Sequence, residues 1–211
     1  MATKPKAFIR KAPAQARAQA TVEAILQAVA HILTRQGYDA LTTNLVAQRA
    51  GVSIGSLYQY FPNKDALLMA LAKKHVDDIE ATIDDALAKM PRTLSLAELV
   101  RSLIEANIAA HLIDPALHSA LSERLPYQGD QDWRIAFDQR VSAKVAAILH
   151  AHRGALAVTN IDLATYIIVR SVEACVHDAY RWRKADLKNG ALADEVTRLV
   201  LSYLMGASGR R

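Results

Sequence analysis

The stretch from Thr42 to Pro62 is punctuated so closely that it can hold only two short helices and the turn between them. Thr42 or Thr43 can cap a first segment running to about Ala50, Gly51 makes a turn, and Ser53 can cap a second segment through about Tyr60. The chemistry is local: a hydroxyl satisfies a free amide of the first turn, and glycine enters the left-handed region without a Cβ penalty. Pro62 then stops the run, and Asn63 is a plausible cap for a long helix that follows. Ala47 is small where two helices must cross, and Gly51 comes four residues later. Helix, tight turn, helix is the arrangement these residues require.

The pattern on either side is helical too. Val22, Ile25, Leu26, Val29, Ile32 and Leu33 form one apolar stripe that stops at Gly37, with Tyr38 and Leu41 continuing the packing. Leu45 or Val46, Val52 and Leu57 should fill the seam against that first helix, and Phe61 reads as core. Beyond Pro91 the periodicity predicts helices near 95–112, 115–124, 131–152, 160–185 and 191–205, the best marked start being Asp114-Pro115. Leu125 to Asp130, with Pro126 and Gly129, reads as a loop, and residues 1–16 as a basic arm. Nothing alternates as a strand would. With 52% apolar but only 6% aromatic residues, the composition favours an all-α fold.

Charge is distributed unevenly. Residues 1–75 hold ten Lys or Arg against three acids, Glu23, Asp39 and Asp65, whereas residues 76–211 hold sixteen against eighteen. A basic first third points to a polyanionic partner there and to another role for the remainder. The single cysteine, Cys175, excludes an internal disulfide framework and suits a reducing cytosol. Met1 to Ala20 lacks the apolar stretch of a secretory signal, and no window has the roughly 18 apolar residues of a membrane span. A soluble, cytoplasmic protein without membrane partners is expected.

The second short helix leaves Ile54, Gly55, Ser56, Tyr58, Gln59 and Tyr60 outward, a set without acids. That suits a helix entering a major groove, which must approach phosphates closely. Hydroxyls of Ser56, Tyr58 and Tyr60 can donate to phosphate oxygens, Gln59 can pair with an adenine edge, and Gly55 removes a side chain where backbone and DNA would collide. Thr43 and Lys64 sit at helix N-termini flanking this surface, where amides and the helix dipole favour an anion. Lys4, Lys6, Arg10, Lys11 and Arg17 can add phosphate contacts or simply be solvated.

Taken together, Gly37, Thr43, Ala50-Gly51-Val52-Ser53, Leu57-Tyr58, Phe61 and Lys64 closely resemble the signature of the TetR family of repressors. The resemblance covers about residues 17–68; Asp114-Pro115-Ala116-Leu117-His118 and Leu125-Pro126 echo some members only weakly. It implies a three-helix helix-turn-helix DNA-binding domain over 17–62, then a larger helical ligand-binding and dimerisation domain over 63–211. It further implies a two-fold dimer on a roughly palindromic operator, released by a small-molecule effector, with no cofactor. Carried over residue by residue, it places Thr43, Tyr58, Tyr60 and Lys64 at phosphates and Asn44, Ile54, Gly55, Ser56 and Gln59 near bases; Ser53, in the signature itself, joins the DNA-binding set. Asn44 stands where many relatives have a charged residue and Ile54 is apolar, which shifts specificity towards thymine methyl contacts and DNA shape.

For the sensing part, helices near 64–152 should enclose an apolar cavity, and His111, His118, Tyr127, Trp133 and Phe137 lie around the breaks where such a pocket opens. Metal binding is not expected. His150 and His152, like Cys175 and His177, are two apart and point to nearly opposite sides of a helix, while His111 and His118 are separated by a helix break. The last two helices have broad apolar faces that can pack inward and also meet a second copy, with Ile167, Val172, Cys175, Val196, Leu199 and Tyr203 as candidate interface residues. An enzyme is the rival from another class, and no nucleophile motif, metal-ligand spacing or phosphate-cradling loop favours it. A non-specific DNA-coating protein is the second rival.

Overall fold

The computed structural model describes residues 16–91, 93–124 and 132–206. Among these the regular elements are helical: α1 (Ala16–Gln36), α2 (Thr43–Ala50), α3 (Ile54–Tyr60), α4 (Lys64–Lys89), α5 (Leu96–His111), α6 (Pro115–Arg124), α7 (Asp132–Ala151), a 3-10 turn (Arg153–Ala155), α8 (Ile161–Trp182), α9 (Lys184–Lys188) and α10 (Ala191–Met205). The predicted all-α class is the observed one. No helix of the described residues is long and apolar enough to cross a membrane. The basic residues Lys4, Lys6, Arg10 and Lys11, the loop over 125–130 and Tyr127 lie outside the described residues.

The chain forms two compact units, one of residues up to 78 with 114–132, the other of 79–113 with 133 onward. In the first, α1 buries the expected stripe from Val22 to Leu33 and stops where Gly37 takes φ 80°, its N–H donating to Leu33 O at 3.1 Å. Leu41, Val46, Leu57, Phe61 and Leu67 are fully buried beside it, and α6 adds Leu117 and Leu121. Burying each such side chain contributes about 1.5–3 kcal/mol. The helix starts follow from their caps. Asn63 Oδ1 accepts from Ala66 N at 2.9 Å and Asp114 Oδ1 from Leu117 N at 3.0 Å.

In the second unit, α5 supplies Leu96, Val100, Ile104 and Ile108 to a core shared with Ile161, Ala164, Ile168 and Val176 of α8 and with Val196, Val200 and Leu204 of α10. Ser95 and Glu98 form a reciprocal capping box at the start of α5. The helix expected over 160–185 is shorter. It ends at Trp182, because Arg183 leaves helical geometry at φ −134° and ψ 38°, and the short α9 then turns Leu187 into the core. A buried leucine beyond the break outweighs the local preference to continue.

Glu80 on α4 joins α7 in this unit. Its carboxylate accepts from Arg140 Nη2 at 2.6 Å and Lys144 Nζ at 2.8 Å, and Lys144 also reaches Asp84 at 2.6 Å. Hydrogen bonding from Arg140, and then from Lys144, holds the Glu80 carboxyl at about 2 against an ordinary 4.5. The sign follows directly: the folded value is depressed, so this contribution is present above about 4.5 and is lost as pH falls through about 2. Glu80→Gln should therefore lower the Tm at pH 7 and narrow its gap from the parent as the pH drops through that window. A gap that stays constant with pH would show the pairing to be energetically idle.

Candidate nucleic-acid interface

Of the two threonines that could open α2, Thr42 is the cap. It sits in extended geometry with φ −127° and ψ 151°, and its hydroxyl accepts from Leu45 N at 3.2 Å. Thr43 is thereby the first helical residue, and its hydroxyl lies 3.1 Å from the Tyr58 hydroxyl on α3. Gly51 ends α2 at φ 68°, the left-handed conformation the turn requires. Val52 N then donates back to Ala47 O at 3.0 Å, the backbone closure that follows a left-handed residue at a helix end.

Ser53 caps α3, accepting from Ser56 N at 3.0 Å, and the two serine hydroxyls are 2.8 Å apart. Both therefore serve the turn itself as well as lying on the expected surface. Only Leu57 of α3 is buried. Ile54, Gly55, Gln59 and Tyr58, the last 42% exposed, face outward with Asn44 of α2, while Ser56 and Tyr60 are half-buried. Neither α2 nor α3 contains an acid. Thr43 and Lys64 stand at the first positions of α2 and α4, as their spacing predicted.

One residue that the sequence offered only as continued packing after α1 supports the site. Tyr38, after the α1 stop, lies under Lys64, whose Nζ is 4.1 Å from its ring centroid, and donates its hydroxyl to Asp65 Oδ1 at 2.7 Å. The accepting carboxylate is the main reason that the phenol is held above its ordinary pKa. Arg124 of α6 approaches the same ring at 5.1 Å and Asp39 at 3.7 Å. Tyr38 thus orients Lys64 through its ring, a cation–π contact worth about 0.5–1 kcal/mol at an exposed position. Nearby, exposed His31 has a depressed pKa, by desolvation first and then by the charges of Arg49 and Arg35, which mark a positive local field.

The residues expected around an effector separate between the two units. His118, on α6, is in the first, its Nδ1 3.1 Å from His75 Nε2. His111, the last residue of α5, is in the second, buried, with Nδ1 2.8 Å from Asn107 O and its ring edge-on to His177. Trp133 and Phe137 are half-buried on α7.

The interface candidates divide by orientation. Leu199 is 54% exposed, and Ile167 and Tyr203 also face outward, joined by Leu163 and Tyr166. Val172 and Cys175 are half-buried against the second unit's core. Val196, at 3% exposure, belongs to that core and is not on the open face. An apolar face wide enough to serve both purposes does not reveal from its residue types which half turns inward.

Two family models match the chain: one described as bacterial regulatory proteins, tetR family, over residues 25–71, and one described as tetracyclin repressor-like, C-terminal domain, over residues 95–204. Among curated proteins, the HTH-type transcriptional repressor KstR of Mycolicibacterium smegmatis is 40% identical over 62 residues, which is 29% of this chain and 30% of that protein. The HTH-type transcriptional activator FasR of the same organism is 30% identical over 106 residues, 50% of this chain and 45% of that one. The matches thus span less than half the length of these relatives. Among solved structures, the fatty acid degradation regulator FadR from Bacillus halodurans superposes with a TM-score of 0.68 at 20% identity, covering 90% of this chain and 97% of that one. At that identity the likeness concerns the fold.

Proposed function

Because the chain belongs to the TetR family of bacterial regulatory proteins, we propose that it is a ligand-responsive transcriptional regulator, a homodimer that binds a palindromic operator through α3 and is released by a small molecule. The observation that carries this reading is the acid-free outer face of α3. It is flanked by the N-termini of α2 and α4 and stiffened by the Thr43–Tyr58 contact at 3.1 Å. Thr43, Tyr58, Tyr60 and Lys64 meet phosphates, and Asn44, Ile54, Gly55, Ser56 and Gln59 lie along the base edges, with Ser53 holding the helix start. The reading is of a binding protein rather than a catalyst.

A single seven-residue helix offers little sequence discrimination. Two of them presented about 34–36 Å apart read two half-sites of one operator. The outward side chains Leu163, Tyr166, Ile167, Leu199 and Tyr203 of α8 and α10 supply the face on which a second copy packs. Release requires an effector whose affinity differs between two conformations. α4 is the element that transmits it, since its first residue, Lys64, follows α3 across Phe61, Pro62 and Asn63. Repression is the direction we assign, although one relative is named a repressor and another an activator.

Footprinting on the DNA flanking the gene tests the proposal. One short protected site with two-fold symmetry is expected, and protection should be lost on adding an effector found by thermal-shift screening. Uniform protection of all duplexes at fixed salt would instead indicate a non-specific DNA-coating protein. An effector that leaves operator affinity unchanged would remove the coupling through α4.

A further inference from the structure

Spacing along single helices gave no reason to expect a metal, but it could not register a pair drawn from two helices. His75 of α4 and His118 of α6 lie 43 positions apart in the chain and within one compact unit. Their rings meet at 5.3 Å between centroids and 47° between planes, with His75 Nε2 3.1 Å from His118 Nδ1. His118 is 5% exposed and His75 half-buried. From these observations we propose that His75 and His118 are two protein ligands of a site for a divalent transition metal of the zinc, cobalt and nickel class, bridging α4 to α6.

The separation of the two nitrogens is the main argument. With metal–nitrogen bonds of about 2.0–2.1 Å, two ligands subtend about 2.9 Å at a right angle and about 3.3 Å at the tetrahedral angle. The observed 3.1 Å falls between these, so the spacing of the two nitrogens suits chelation of one ion. The carboxylates of Asp114 and Asp78 act electrostatically on the His75 ring, so negative potential favourable to a cation reaches the pair. Imidazole suits this class of ion, and water completes the coordination. The proposal does not depend on DNA binding.

A neutral hydrogen bond between the rings is the competing account, and glutamine separates the two, because its amide can hydrogen-bond to the remaining imidazole but is a poor ligand for such ions. The experiment titrates the full metal-free chain with Co2+ followed by visible absorption, and with Zn2+ followed by calorimetry and Tm. The parent should bind one ion at the pair, develop ligand-field bands that Zn2+ displaces, and gain Tm with Zn2+. His75→Gln and His118→Gln should each weaken binding at least about tenfold, since even an outer-shell partner of a metal ligand is worth that much. Both variants should retain the parent's helical circular dichroism. Absence of bands and of any Tm gain in the parent overturns the proposal without recourse to variants, as does ion binding that both substitutions leave unchanged.

Discussion

Replacing Tyr58 and Lys64 together by alanine should abolish retention of operator DNA while leaving the helical content intact. Neither side chain holds up the core: Tyr58 is 42% exposed, and Lys64 is half-buried with its ammonium over the Tyr38 ring. Each is assigned a phosphate, and a hydrogen bond to a charged group is worth about 1.5–3 kcal/mol. A dimer loses four such contacts. At about 1.4 kcal/mol per factor of ten, affinity should fall by well over a hundredfold. Lys64→Ala alone should also flatten the dependence of log K on log salt by about one unit per lysine removed, whereas Tyr58→Phe should weaken binding with the salt slope unchanged. Full retention by the double variant, checked by gel shift at fixed salt, would falsify the DNA-facing assignment of α3.

Phe61→Ala is the substitution expected to cost the most stability. The ring is fully buried and its backbone N–H donates to Leu57 O at 2.9 Å, closing the last turn of α3. Truncating a buried phenylalanine to alanine removes about 3–5 kcal/mol, through lost transfer energy and the cavity left behind. Whole domains are stable by only about 5–15 kcal/mol, so much of the margin disappears. Urea denaturation should show the midpoint shifting down, and DNA binding should fail on warming well before it does in the parent. A loss below about 1 kcal/mol would mean that the ring is not packed as described.

How far the sequence could be read depended on the range of the interactions. The α1 stripe, the stops at Gly37 and Gly51 and the caps Ser53, Asn63 and Asp114 were legible, because each is decided within a turn of its own residue. Even there, Thr42 and Thr43 were separable only by geometry. The break at Arg183 was not legible, since it exists to bury Leu187 among residues distant in the chain. The inward turn of Val196 was hidden for the same reason. Tyr38 lies between Lys64 of α4 and Arg124 of α6, and His75 meets His118, through helix pairings that no local periodicity encodes. Most of the outer face of α3 was legible because setting aside the seam residue Leu57 leaves Ile54, Gly55, Tyr58 and Gln59 pointing away, whereas Ser56 and Tyr60, expected outward with them, are half-buried.

That single inward side chain has an evolutionary corollary. With one leucine as anchor and both ends fixed by residues outside it, Ser53 and Phe61, α3 is an interchangeable cartridge. On the proposed reading, mutations at Ile54 or Gln59 retarget such a protein to a new promoter at little thermodynamic penalty, so duplicated copies are free to diverge in what they read while inheriting the same scaffold.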